Sequence, residues 1–180
     1  MMKAIDIYLL CFAVLGNLSF AVQVMAFQLT TSSTVNGITR DELHNFLATP
    51  TNWPKIVASS HSVKCPSFST NSVESPLAVG DYVEEVFGLP PILPLSVVWQ
   101  CIVSDVSRGK LEFSSESGVP MLAKKCKMNF TIEDATDGCR VELAMEFEPE
   151  NPIVYAGIPI LSADNSLALK VLLPMAIANR

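Results

Sequence analysis

The sequence predicts an α+β domain in which helices cover one side of an antiparallel sheet. Two segments, 122–133 and 139–148, alternate between apolar and polar residues, as strands do when one face is buried and the other is solvated. A helix start at Thr39 precedes these segments, and a largely apolar segment, 153–180, follows them. Together these three features predict one sheet with helical cover on one face.

Length and composition indicate one folded domain with a sizeable apolar core. The chain has 180 residues, of which 49% are hydrophobic and 17% charged, and its mean hydropathy is +0.37. These values exclude a disordered chain, which needs low hydropathy and high charge. The net charge of −6 argues against nucleic-acid binding, because the only basic cluster is Lys124, Lys125 and Lys127 in a predicted strand.

The N-terminal residues predict a secretory signal peptide, 1–26, and leave one domain, 27–180. A basic start is followed by a long uncharged segment, and small residues precede the site after Ala26, which fits signal-peptidase cleavage. An uncleaved anchor helix is the alternative, since the segment is long enough to span a bilayer. Phe27 directly after an alanine also resembles the plastid signal of algae with complex plastids. The expected location is the secretory pathway, secreted or lumenal, with a complex plastid or membrane anchoring as alternatives.

Two short helices are expected after a first strand at 27–35. Thr39 and Glu42 form a capping box, in which the two side chains satisfy backbone N–H groups at the helix start. Pro50 ends this helix. A second helix begins near Trp53, with a proline in its first turn. Six further strands are expected at 61–65, 81–87, 95–104, 110–117, 122–133 and 139–148.

The C-terminal segment is predicted to form a helix from about Asn165, capped by Ser162 or Asp164. Apolar residues cover nearly every face of this helix, and Pro174 should kink it because proline removes a helical hydrogen bond. A helix that is apolar all round is either buried or membrane-seeking. We expect burial against the sheet, because the uncharged runs are too short to span a bilayer.

The cysteine pattern predicts free, mostly buried thiols rather than disulfides or a metal site. Four cysteines lie in the expected domain: Cys65, Cys101, Cys126 and Cys139. They form no CxxC pair or cysteine–histidine cluster, so neither a metal nor a redox cofactor is expected. A turn centred on Thr136 places Cys126 opposite Glu146 rather than Cys139, and one strand separates Cys101 from Cys126.

The order of elements resembles the START-related and birch-pollen-allergen-like superfamily (SRPBCC), and especially its polyketide cyclase/dehydrase-type members. The segment 38–47 (ITRDELHNFL) is similar to the first helix of that superfamily. The segment 49–54 (TPTNWP) resembles its D-P-x-x-W-P corner, with Thr49 in place of the aspartate. Val79-Gly80-Asp81 and Val97-Val98-Trp99 resemble its V-G-D and V-x-W strand motifs. The resemblance spans the whole expected domain and departs from the superfamily at Pro174 and in the short C-terminus.

The resemblance implies a helix-grip fold, in which a bent antiparallel sheet of about seven strands wraps around the C-terminal helix and leaves an apolar cavity. We expect Glu84 and Lys124 to orient a ligand there. A filled core without a usable cavity is the alternative. The residues expected to line the cavity are Trp99, Cys101, Phe113, Met128, Phe130, Met145, Phe147, Leu169 and Leu172.

The expected function is binding of a small hydrophobic ligand, such as a lipid, sterol, quinone, pigment or polyketide, by a carrier or sensor. The main alternative is a cyclase or dehydratase that uses Glu84, His44 or His61 as its base. Glu84 and Glu85 alternate across one strand, so one of them points into the concave face. Both histidines are expected at the surface, His44 on its helix and His61 in a serine-rich stretch. A third candidate function is that of a protein–protein adaptor.

The loop 88–94 (GLPPILP) is apolar and joins two predicted strands. At the mouth of a cavity, such a loop serves as a lid or as a rim that touches a membrane transiently. A stiff connector between the strands is the alternative, because three of its seven residues are prolines.

Overall fold

The computed structural model describes residues 26–89 and 93–180. The signal peptide expected at 1–26 therefore lies, apart from its last residue, outside the described residues. The strands are β1 (Phe27–Asn36), β2 (Ser60–Lys64), β3 (Tyr82–Leu89), β4 (Leu93–Asp105), β5 (Lys110–Ser115), β6 (Ala123–Ala135) and β7 (Gly138–Pro149). The helices are α1 (Arg40–Ala48), α2 (Trp53–Ile56), α3 (Ile153–Leu167) and α4 (Leu173–Ala178), with a 3-10 turn at Pro50–Asn52 and a π-helical turn at Ala168–Leu172.

The sheet is antiparallel throughout and has the strand order β1-β7-β6-β5-β4-β3-β2. The chain thus runs as a meander from β2 to β7, and β1 joins at the edge next to β7. Helices α1 and α2 follow β1, and the C-terminal helix packs on the same, concave side of the sheet. The predicted α+β helix-grip fold is confirmed.

The predicted capping box starts α1. The Thr39 hydroxyl accepts a hydrogen bond from the Glu42 backbone N–H at 3.3 Å, and the Thr39 N–H donates to the Glu42 carboxylate at 2.9 Å. This backbone hydrogen bond to Thr39 lowers the pKa of Glu42. The helix ends before Pro50, as predicted, and the Trp53 indole N–H donates to the Leu47 carbonyl at 2.8 Å, which ties α2 to α1.

The β6–β7 turn lies half a residue later than predicted. Ala135 pairs with Gly138, so the turn is centred between Thr136 and Asp137, and a bulge interrupts β6 between Lys124 and Lys127. The prediction that Cys126 faces Glu146 was therefore wrong, because Lys127 takes that place. Cys126 and Cys139 still do not face each other, because Asp134 lies opposite Cys139, and the four cysteines in the described part of the chain are free thiols.

The C-terminal helix begins about twelve residues earlier than predicted, at Ile153. Neither Ser162 nor Asp164 caps it, because both lie inside α3. Pro159 lies within α3. Just before Pro174, the α-helical hydrogen-bond pattern changes to the π-helical pattern of Ala168–Leu172. Proline lacks the N–H that a regular helix would need at that point, so a local change of helical pattern is expected there.

The C-terminal helix is buried against the sheet on one side only, although apolar residues lie on nearly every face. Leu169 and Leu173 are buried against the core, whereas Ile160 is 73% exposed and Met175 is 55% exposed. The sheet packs on one side of the helix, and few of the residues in Ile153–Ala178 are buried. By length and composition alone, Ile153–Ala178 could also cross a membrane.

Candidate functional site

The concave face of the sheet carries most of the residues expected to line a cavity, in a row of cross-strand partners. Leu29 on β1 faces Met145 on β7, which faces Met128 on β6, which faces Phe113 on β5. Phe113 in turn faces Cys101 on β4. The side chains of one face therefore form a continuous strip across five strands.

Burial along this strip is uneven. Phe113 and Cys101 are fully buried, and the Phe113 ring lies edge-on to Trp53 at 5.2 Å between centroids, so this end belongs to the filled core. Met128 and Met145 are only half-buried. Of the remaining expected lining residues, Trp99, Phe130, Phe147 and Leu169 are buried and Leu172 is half-buried.

The half-buried end of the strip continues onto neighbouring elements. These residues share an inward direction and incomplete cover, and they come from the start of β1, the end of β3 and the first half of α3. They are Phe27, Leu29, Phe87, Val154, Ile158 and Leu161. The incompletely covered apolar side chains therefore lie beneath the first part of the C-terminal helix.

The carboxylate that faces the concave side is Glu85, not Glu84. Glu84 lies on the outer face, where Lys64 pairs with it at 3.3 Å. Glu85 is 9% exposed and sits between Val83 and Phe87 on the inner face. Glu84, which the sequence analysis expected to orient a ligand, therefore does not face the concave side, because adjacent residues of a strand face opposite sides.

Glu85 has a polar neighbourhood inside an apolar wall. The Trp99 indole N–H donates to its Oε2 at 3.0 Å. Burial raises the pKa of Glu85, because the charged form loses its water; the nearby Ser60 hydroxyl and Trp99 lower it in part, and Asp164 raises it further. Asp164, on α3, accepts a hydrogen bond from the Ser59 hydroxyl at 2.5 Å. Burial thus shifts the acid–base equilibrium of Glu85 towards its neutral form.

The two histidines lie away from this carboxyl group. His44 is 1% exposed, contrary to the expected surface position, because the face of α1 that carries it packs on the sheet. Its Nε2 is 3.3 Å from the Lys110 carbonyl oxygen, and its Nδ1 is buried without a partner. His61 is exposed, as expected, and its Nε2 lies 3.1 Å from the Gly88 carbonyl oxygen at the sheet edge.

Lys124 does not point into the concave side either. Its side chain is 44% exposed and its Nζ lies 3.7 Å from Glu150. The residue before it, Ala123, takes the buried position on β6. Of the apolar loop 88–94, residues 90–92 lie outside the described residues. No group of three metal-binding side chains occurs in 26–89 and 93–180.

A separate groove of about 790 Å³ lies between α1, α2 and α4. Its wall is mixed in polarity, with Phe46 beneath the guanidinium of Arg180 at 4.4 Å. Two of the polar side chains that line it are already bonded within the chain: Asn52 donates to the Phe46 carbonyl and Thr49 donates to the Asn45 carbonyl. The sequence analysis did not predict this groove.

The sequence did contain a signal for Glu85. Val83 and Phe87 lie two residues before and after it and are both apolar, which marks the inner face by period two. Tyr82 and Val86, two residues before and after Glu84, are also apolar. The pattern of this strand alone therefore does not decide which of the two glutamates faces inward. Ser60 and Asp164 were missed as its neighbours, because they come from distant parts of the chain.

Neither a scan of protein-family models nor a search of curated proteins finds a match for this sequence. Solved structures do match. The crystal structure of Ara h 8.0201 is 12% identical, with 87% of this chain and 100% of that chain covered and a TM-score of 0.61. The Zhui aromatase/cyclase from a Streptomyces species is 11% identical, with 86% and 96% covered and a TM-score of 0.65. Norcoclaurine synthase from Thalictrum flavum is 10% identical, with 87% of each chain covered and a TM-score of 0.59. At these identities the likeness is one of fold.

Proposed function

Because this chain has the helix-grip fold of the START-related and birch-pollen-allergen-like superfamily, we propose that it binds a small hydrophobic ligand between the sheet and the C-terminal helix. The domain, 27–180, acts as a carrier or sensor for a ligand such as a lipid, sterol, quinone, pigment or polyketide. Among the matched structures are an allergen, an aromatase/cyclase and a synthase, so the fold itself serves both binding and catalysis.

The observation that carries this proposal is the half-buried end of the concave strip. Met128 and Met145 face each other on neighbouring strands and stay half-buried although they point inward. A filled core would bury them as completely as Phe113. Methionine side chains are flexible and polarisable, so they adapt to an apolar guest. Each Å² of apolar surface that a ligand buries there contributes about 25 cal/mol.

Native mass spectrometry of the full chain, purified from its own host or from a lipid-containing extract, tests the proposal directly. We expect a bound mass that is released on denaturation and whose identity gives the ligand class. A ligand-free protein from both sources, together with no binding of any apolar probe, would overturn the proposal.

Three methionine variants show where the ligand binds. Met128→Ala and Met145→Ala should each weaken binding of anilinonaphthalene sulfonate by roughly tenfold, which corresponds to about 1.4 kcal/mol. Met121→Ala is the matched control, because Met121 is 81% exposed and lies outside the strip. Equal affinity in all three variants would place the ligand elsewhere.

Glu85 favours a second candidate, a cyclase- or dehydratase-like enzyme acting on a poly-carbonyl substrate. A buried carboxylic acid whose pKa is raised by burial can give a proton to a substrate carbonyl and take one back. For this function, Glu85→Gln should abolish turnover while the substrate still binds. A substrate that binds but is never converted by the unmodified protein would remove this candidate.

For the location of the protein, we propose the secretory pathway or an organelle lumen. The support is the sequence pattern around Ala26. N-terminal sequencing of the protein from its host should give Phe27 as the first residue. An intact N-terminus in the membrane fraction would show an uncleaved anchor instead.

A further inference from the structure

Two buried polar side chains on the concave face are unexplained by apolar binding alone. Glu85 on β3 is 9% exposed and Ser60 on β2 is 5% exposed. Both strands present these residues inward, since Ser60 faces Phe87 and Glu85 faces Val97 across the sheet. Buried polar groups are costly unless they hydrogen-bond, so their presence in an apolar wall points to a partner.

Their hydrogen-bonding capacity is only partly used. Trp99 donates to one oxygen of Glu85, at 3.0 Å. The Ser60 hydroxyl oxygen is buried and makes no hydrogen bond of ordinary geometry, although the group lies close enough to Glu85 to influence it. A neutral carboxylic acid has one O–H donor, and a serine hydroxyl has another.

The charges around Glu85 decide which ligand group fits. The charged residue that acts on it is Asp164, which is itself an acid and accepts its hydrogen bond from Ser59. An ionised Glu85 would therefore lose its water on burial, which is the larger penalty, and would also be disfavoured by Asp164. The neutral acid avoids this cost and presents its proton to an acceptor.

We propose that Glu85 and Ser60 form the polar end of the ligand site and recognise a carbonyl oxygen on an otherwise apolar ligand. The inference rests on the proposed binding function and adds the ligand's chemical class. A carbonyl oxygen accepts two hydrogen bonds, one along each lone pair. It can therefore take the O–H groups of both residues at once.

The positions of the polar end and the methionines also set the ligand's size. Glu85 lies on β3 and Met128 on β6, with β4 and β5 between them. Three strand spacings of about 4.8 Å give roughly 14 Å across the strands, and the four-residue step from Val97, opposite Glu85, to Cys101, in the row of Met128, adds about 13 Å along them. A ligand that reaches both ends is therefore elongated, with several fused rings or a comparable chain.

Anthraquinone and anthracene test the inference, because they share a ring skeleton and differ by carbonyl groups. Binding to the full chain is read from quenching of the fluorescence of Trp53 and Trp99. The unmodified protein should bind anthraquinone at least tenfold more tightly than anthracene. Glu85→Leu and Ser60→Ala should each reduce this preference, and Glu85→Gln should retain part of it because the amide still donates.

Glu84→Leu is the matched control, since Glu84 is the next residue on the outer face, and it should keep the full preference. Difference infrared spectra give a second readout: anthraquinone should shift the C=O band of a protonated carboxyl group, and Glu85→Gln should remove that band.

The outcomes separate the two proposals. Equal affinity for both probes, unchanged in Glu85→Leu, would overturn the carbonyl inference and leave apolar binding intact. Failure of both probes to bind, with ligand-free protein from the host, would overturn both. Tighter binding of aminomethylanthracene than of anthraquinone, lost in Glu85→Gln, would overturn the inference in favour of an ion pair with a cationic ligand.

Discussion

The indole N–H of Trp99 donates to the carboxyl group of Glu85 at 3.0 Å, across the pair of strands β3 and β4. Trp99 faces Val83 directly, so its contact with Glu85 is a diagonal one on the same concave face. The hydrogen bond fixes the direction of the carboxyl group inside an apolar wall. The carboxyl group is thus held where burial raises its pKa, against the opposing effect of this hydrogen bond, and this makes the stability of the fold depend on pH.

Glu85 should make the folded state less stable as the pH rises. Burial raises its pKa above the ordinary value of 4.5, so the native state holds a proton that the unfolded chain releases. Its contribution is fully present below pH 4.5 and is lost as the pH rises through the raised pKa of the folded state. One such proton changes the free energy of unfolding by at most about 1.4 kcal/mol per pH unit.

Urea unfolding between pH 4.5 and 8 measures this effect. Because other groups titrate in the same range, the quantity of interest is the difference between variants. Glu85→Gln should lack the part of the decline that comes from Glu85, whereas Glu84→Gln should keep it. Parallel pH profiles for the two variants would contradict a buried, neutral Glu85.

Two glycines with positive φ should respond differently to alanine. Gly109 has a φ of +60° and Gly37 a φ of +72°, so either substitution forces a strained backbone, at about 1–2 kcal/mol. A Cβ at Gly109 would also overlap the backbone carbonyl of Ile132, whereas nothing lies within 4 Å at Gly37. Overpacking of this kind adds about 1–3 kcal/mol. In chemical denaturation, Gly109→Ala should therefore have a lower free energy of unfolding than Gly37→Ala. Equal free energies of unfolding would contradict this packing.

Cys65 should be the fastest of the four described thiols to react. It is half-buried, whereas Cys101, Cys126 and Cys139 are buried. Burial raises the pKa of Cys101 and of Cys126 to about 11 and also raises that of Cys139. The reactive thiolate is therefore scarce at these three sites near pH 8. Iodoacetamide labelling with peptide mapping measures the relative reaction rates of the four thiols. In urea, which unfolds the protein, the differences between these rates should disappear.

The capping box at the start of α1 should be worth about 1 kcal/mol. Thr39→Ala removes the hydroxyl that accepts from the Glu42 N–H, and this loss typically costs about 0.5–2 kcal/mol. Thr70→Ala, in an exposed loop, is the control of the same chemistry and should leave stability unchanged. If both variants unfold at the same urea concentration as the parent, the cap contributes nothing to stability.

Local patterns predicted the fold well where one element carries its own signal. Thr39 and Glu42 mark the start of α1, and period-two alternation marks β6 and β7. The start of α3 was missed because Gly157 and Pro159 interrupt the pattern of a regular helix. Packing of the helix against the sheet outweighs these two unfavourable residues, which propensity alone does not show.

The sequence by itself determined that this chain forms one antiparallel sheet with helical cover, because hydrophobic period and capping act within a few residues. Only the tertiary structure decided the composition of the candidate site. Ser60, Glu85 and Asp164 come from β2, β3 and α3, and strand register together with helix docking brings them together. A shift of one residue in β3 would put Glu84 in the place of Glu85, since adjacent strand residues face opposite sides. That choice follows from how all seven strands pair, and no single segment encodes it.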